Sequence, residues 1–242
     1  MRGILSLTGL EIMRVRRNRR YLIFTVGFPV VLYLLLGKQV SALAEGVSFH
    51  AYYMIAMCMF GAFSGALTGN AQRISQEMKD GWIRQLRLTP LPANAYVVSK
   101  ILVSMATTVP SIVIVLLLGR FYGGVDLPVW QFLVIALTVW GGATIFAALA
   151  VAIGYRYQPD QVQPMAIAVY FVFAILGGLL FPIGGTLAKV GEFTPTYDAV
   201  KIAIDVILNT SVSVGLVIGL VVWLAIFAGL ATLSVRATAE SV

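Results

Sequence analysis

Six stretches of the chain, near 21–41, 51–71, 96–118, 129–154, 163–184 and 211–235, are long and apolar enough to cross a bilayer. A spanning helix needs about 20 mostly apolar residues. Composition enters as a check on that reading. Hydrophobic residues make up 60% of the chain and charged ones only 11%, where a soluble domain carries about 25% charge. The expected fold class is therefore an all-α integral membrane protein, a single transmembrane domain over 1–242 with six spans.

The charges that remain are unevenly placed. Thirteen of the seventeen Lys and Arg residues fall before span one, between span two and the first turn or so of span three, after span four or after span six. Lys38, Arg120, Lys189 and Lys201 fall on the other side. Basic flanks stay in the cytoplasm, so both termini are expected there, in a multi-pass protein of the plasma (inner) membrane. The net charge of +7 then reflects topology. No aromatic–basic platform for nucleic acid accompanies it. Tyr21, Tyr52, Tyr53, Tyr96, Tyr122, Trp130, Tyr155 and Tyr157 stand at span ends, where rings suit the headgroup level. Arginines, an apolar run and the sequence SALA at Ser41–Ala44 also resemble a secretory signal. The run, however, is longer than the ~7–15 residues of a signal core.

Several chemistries lack their residues. No span carries Asp, Glu, Lys or Arg near its middle, which weakens an ion-coupled path. There is no TVGYG-like filter. The Gly-Lys pair in Leu36–Gln39 has no upstream glycine at the right spacing and no hydroxyl residue after it, so no phosphate-cradling loop forms. GxSxG, HExxH and paired intramembrane carboxylates are missing too. His50 reads as interfacial and Cys58 as packing, and no metal is expected. The chain is not expected to be an enzyme. Energy for any transport must come from another chain, and that requires a surface to receive it.

The segment 72–93 is the candidate for that surface. Good helix formers run to residue 86, interrupted at Gly81. Glu77, Asp80 and Arg84 are spaced to share a helix face. Leu86 and the Thr89–Pro92 run follow, and the prolines stop the helix before span three. A plain solvated loop remains the alternative from these residues alone.

The stretch QEMKDGWIRQLRLTPLPANAYVVSKIL resembles the segment after the second span of ABC type-2 permeases. Glu77, Asp80, Gly81, Leu86, Thr89, Pro90, Leu91 and Lys100 match that pattern, whereas Trp82 stands where the family often has a small or hydroxyl residue. GGLLFPIGG at Gly177–Gly185, with Pro182, is similar to the family's fifth-span exit. TPTYDAVKIAIDVI at Thr194–Ile207, with Pro195 and Tyr197, is similar to its extracellular segment before span six.

The resemblance implies the membrane subunit of an ATP-driven exporter. Its partners would be an ABC ATPase subunit, a second permease subunit (the same chain or a related one) and membrane lipids. ATP and Mg would sit on the ATPase, with no cofactor in this chain. Residues 72–93 would be the coupling segment, with Glu77, Asp80, Gly81, Arg84, Leu86, Thr89, Pro90 and Leu91 in it. Residues 1–20 would be a connecting segment on the cytoplasmic surface, and 185–210 an extracellular segment with short helices in the outer leaflet. Cargo would be an amphipathic molecule such as a drug or a lipid, with Thr107, Thr108 and Ser111 as candidate contacts. An ion-coupled secondary transporter, or a membrane scaffold or immunity protein that transports nothing, is the alternative.

Overall fold

The computed structural model describes residues 13, 23–37, 43–44, 46–82, 85, 95–180 and 185–240. A π-helical turn at Ile23–Gly27 leads into α1, Phe28–Leu36. A two-residue hairpin follows, β1 at Leu43–Ala44 and β2 at Val47–Ser48. Then come α2 (Phe49–Ser64), a second π turn (Gly65–Gly69) and α3 (Asn70–Lys79). The remaining helices are α4 (Ala95–Phe121), α5 (Val129–Arg156), α6 (Pro159–Leu176), α7 (Gly185–Gly191), α8 (Pro195–Ile207) and α9 (Val214–Glu240).

Among the described residues, five helices are long and apolar enough to cross a membrane: Phe49–Lys79, Val98–Phe121, Val129–Arg156, Pro159–Leu176 and Val214–Ala237. Of the first expected span, the described residues hold the shorter apolar helix Thr25–Leu36. Boundaries shift in two places. The second span runs on without a break to Lys79, eight residues past its expected end. The fifth runs from Pro159 to Leu176, where Gly178 at φ +72° turns the chain.

The second span lies at the centre, with 89% of its apolar window inside the protein, against 11% for Val214–Ala237. Its start is set by Ser48, whose hydroxyl accepts from the Ala51 N–H at 3.3 Å, filling one of the orphan donors of a helix N-terminus. The π turn at its middle disturbs the backbone ladder. Side chains supply bonds around it: Ser64 Oγ donates to Gly61 O, Thr68 Oγ1 to Ser64 O, and Arg73 Nε to Gly69 O.

Lipid gives helices no hydrophobic drive to associate, so close approach and side-chain contacts must do it. Gly61 lets α2 meet both α1 and α4. A Cβ there would strike Ser111 Oγ and lie 2.9 Å from Pro29 Cγ and from Thr25 O. Rings tie the other helices: Phe63 stacks on Phe146 at 4.7 Å, Phe60 meets Tyr170 edge-on at 5.2 Å, and Phe173 meets both Trp223 and Phe227. These are the favoured aromatic geometries. Tyr52, Tyr53, Tyr96 and Tyr155 stand at helix ends but are buried against neighbouring helices. Tyr52, for example, donates its hydroxyl to Gly178 O at 2.8 Å.

Thr107, Thr108 and Ser111 are buried as well. Thr107 and Thr108 donate to Ser104 O and Met105 O, in the turn before the helix-internal Pro110, and Ser111 donates to Thr25 O. Cys58 is fully buried, with its thiol directed at Ile112 O. The native protein should resist maleimide until it is unfolded. Mass spectrometry of labelled protein before and after denaturation checks this, and the expected contrast in labelling is at least about tenfold, as for inert core thiols.

Candidate coupling site at the base of the second and third spans

One end of the bundle gathers the last turns of α3, the first turns of α4, the α5–α6 turn and the end of α9. An α-helix ends where its last carbonyls find other donors. α3 ends with the Asp80 N–H donating to Gln76 O at 2.9 Å and the Gly81 N–H to Met78 O at 3.1 Å. Gly81 takes φ +72°, a left-handed conformation that glycine adopts without steric cost. The chain turns back there, and the Gln85 N–H donates to Gly81 O at 3.1 Å. Nothing lies within 4 Å of a Cβ added at Gly81. Gly81→Ala should therefore cost only backbone strain, about 1 kcal/mol. A thermal-shift comparison of Gly81→Ala with Gly81→Asn, which tolerates this conformation, checks it, with asparagine the milder change.

Glu77 is the centre of the site. Its two carboxylate oxygens are shared between two residues of α4. Lys100 Nζ donates to Oε1 at 2.8 Å, and the Tyr96 hydroxyl donates to Oε2 at 2.7 Å. The Lys100 side chain is 1% exposed and that of Glu77 15%. The ammonium also sits 5.0 Å from the centre of the Tyr96 ring, a cation–π distance. Tyr96 in turn meets Tyr155 of α5 edge-on at 6.4 Å. A charge buried to this degree is tolerable only when paired and hydrogen-bonded, and here the pairing bridges two consecutive spans.

The opposite face of α3 is fastened to the α5–α6 turn. Ser75 Oγ donates to Tyr157 O at 2.6 Å, and Gln72 Nε2 to Pro159 O at 3.3 Å. Below Glu77 a small apolar cluster of Ile74, Tyr96, Val151, Ala152, Tyr155 and Ala231 closes the space between α3, α4, α5 and α9, with Met78, Trp82 and Val235 packed against it. Trp82 thus has a structural role that its family-atypical identity did not suggest.

Glu77 and Asp80 do not share one face. Glu77 turns inward, while Asp80 is exposed and accepts from Gln76 Nε2 at 2.9 Å. Arg84, Leu86, Thr89, Pro90 and Leu91 lie outside the described residues, as do Pro182 and, Met13 apart, the connecting segment 1–20. Spacing alone missed Ser75, Tyr96, Tyr155 and the role of Lys100. The available signal was an acid and a base, Glu77 and Lys100, each at the edge of an apolar run.

At the other end of the bundle, Pro195 opens α8. Thr194 caps that helix by accepting from the Tyr197 N–H at 3.3 Å, and Thr196 Oγ1 donates to Phe173 O at 2.7 Å. At 13 residues α8 is too short to span. Gln131 Nε2 of α5 closes its far end by donating to Val206 O at 2.7 Å and Asn209 Oδ1 at 3.1 Å.

Comparison with known proteins agrees with this arrangement of apolar helices. The chain is 24% identical over 191 residues to "Putative transport permease YvfS" of Bacillus subtilis (strain 168), covering 77% of this chain and 78% of that protein. The family model described as ABC-2 type transporter matches residues 2–190. With its several spanning helices, this multi-pass membrane protein belongs to the ABC-2 type transporter family.

Proposed function

We propose that the chain is the permease subunit of an ABC exporter that moves an amphipathic cargo out of the cytoplasm, with ATP hydrolysed on a separate subunit. The observation that carries this reading is the Glu77–Lys100–Tyr96 clamp at the base of α3 and α4. A rigid, buried junction makes mechanical sense where a push on a short exposed segment has to reach the spans. Asp80 and the Gly81 turn stand beyond the clamp as the exposed end of that lever.

In this reading residues 72–93 face the ATPase, with Arg84, Leu86, Thr89, Pro90 and Leu91 continuing the contact. Thr25–Leu36 belongs to a sixth span, residues 1–20 lie along the inner surface, and both termini are cytoplasmic. The placement draws support from the basic residues. Arg73, Lys79, Lys100, Arg156 and Arg236 all fall toward the clamp end of their helices, whereas Arg120, Lys189 and Lys201 fall toward the α7–α8 end. Such a bias marks the cytoplasmic side. Two permeases, identical or related, pair with two ATPases, and the α7–α8 segment, with Pro182, Pro195 and Tyr197, lies at the outer leaflet.

Purification of the tagged chain from its native membranes tests the reading. A chain carrying a GxxxxGK[ST] loop should co-purify, with ATPase activity in the eluate. Isolation of the chain without such a partner, with export that survives ATP depletion and collapses with the ion gradient, would overturn it.

A further inference from the structure

Two charged side chains are buried among the described residues, Lys100 and Asp198. Lys100 has Glu77. Asp198, in the first turn of α8, is 6% exposed, and its carboxylate makes no hydrogen bond or ion pair among the described residues. What it meets is bare backbone. A Cβ added at Gly219 of α9 would overlap Asp198 Oδ2 and lie 3.0 Å from its Cγ. The acid and the glycine therefore form one close contact between α8 and the last span.

Among the described residues no base lies within ion-pair distance of the Asp198 carboxylate. On α9, Arg236 and Glu240 lie about 25 Å or more further along the helix, at about 1.5 Å per residue. α5 and α6 meet α8 through Gln131 and Phe173, and their charged residues, Arg156 and Asp160, stand at their opposite ends. α2 brings His50, Tyr52 and Tyr53 to this end; Tyr52 is bonded to Gly178 and Tyr53 stacks between Phe49 and Tyr33. Lys189 and Glu192 precede α8. On α8 itself, Lys201 lies 3.9 Å from Asp205.

We propose that Asp198 is a protonation-gated latch, seating α8 against Gly219 of the last span when neutral and releasing it when ionised. A neutral carboxyl fits an apolar helix contact, whereas an anion draws water into it. Burial pushes the Asp198 carboxyl from its ordinary value of 3.8 up to about 6. The seated state therefore holds its proton more tightly than the released one. It is fully favoured below about pH 4, loses favour as the pH rises toward 6, and is weakest above that.

The test uses the full chain in permeabilised native membranes. Leu216→Cys, one turn before Gly219, provides a thiol at the contact, and the native Cys58 is buried. Its modification by a charged methanethiosulfonate is measured between pH 5 and pH 7.5, with Asp198 intact and as Asp198→Asn. The ratio of the two rates cancels the thiol's own titration. It should already exceed one at pH 5 and rise about tenfold further by pH 7.5. A ratio near one throughout would overturn the latch. Gly219→Ala provides an independent arm, since it holds the contact apart. Labelling should then be fast at pH 5 as well, and slow labelling of that variant at pH 5 would also overturn the proposal.

Discussion

Glu77→Gln should lower the stability of the protein by about 3–5 kcal/mol, the cost of leaving a buried ammonium without its counter-charge. The Lys100 side chain is 1% exposed, so water cannot replace the lost oxygen. The reciprocal change, Lys100→Met, should cost less, because Glu77 is 15% exposed and keeps the Tyr96 hydroxyl. The double variant Glu77→Leu with Lys100→Met should recover most of the stability, since an apolar pair of similar volume is often neutral where an ion pair was buried. Detergent-solubilised thermal unfolding of the four proteins measures this. The same series separates folding from coupling. If the clamp transmits motion, the double variant should fold yet lose most ATP-driven export; normal export by that variant would reduce the clamp to a structural brace.

Gly61→Ala should be strongly damaging to the packing of the interior. The added methyl meets three groups from two neighbouring elements: Ser111 Oγ of α4, and Pro29 Cγ and Thr25 O of the first apolar helix. It also displaces the Ser111 hydroxyl from Thr25 O, 3.2 Å away. Two of the three groups belong to backbone or a proline ring and cannot swing aside. Overpacking of this kind costs about 1–3 kcal/mol or more, and here it parts three helices that lipid does not press together. Gly141→Ala and Gly229→Ala are the matched controls, because nothing lies within 4 Å of a Cβ at either position. Fluorescence-detected size exclusion should show loss of the monodisperse peak for Gly61→Ala and little change for the controls.

Much of the helical architecture was legible from hydropathy, because a bilayer sets the length of an apolar helix. The cap at Thr194 and the proline beside it were also readable, since those preferences are local. Tertiary pairing was not. Asn70, Gln72, Arg73 and Ser75 look like the start of a loop, yet the helix continues through them because Gln72 and Ser75 find carbonyls of the α5–α6 turn and Arg73 bonds back to Gly69 and Asn70. Glu77 looks like a surface charge until Lys100 and Tyr96 are brought to it. Tyr96 and Tyr155 look like interfacial rings, but the bundle closes over them. Asp198 does not stand out among charges at span centres, because it lies in a helix too short to span.

In the proposed function the exposed end of α3 receives force from an ATPase. The most direct measurement places a photo-activatable crosslinker on Asp80→Cys, in native membranes, with Leu233→Cys on the exposed side of α9 as the control. The adduct from position 80 should contain an ATPase subunit with a GxxxxGK[ST] loop, and the adduct from position 233 should not. If position 80 yields no such adduct while the transporter remains active, the coupling role of this segment is contradicted.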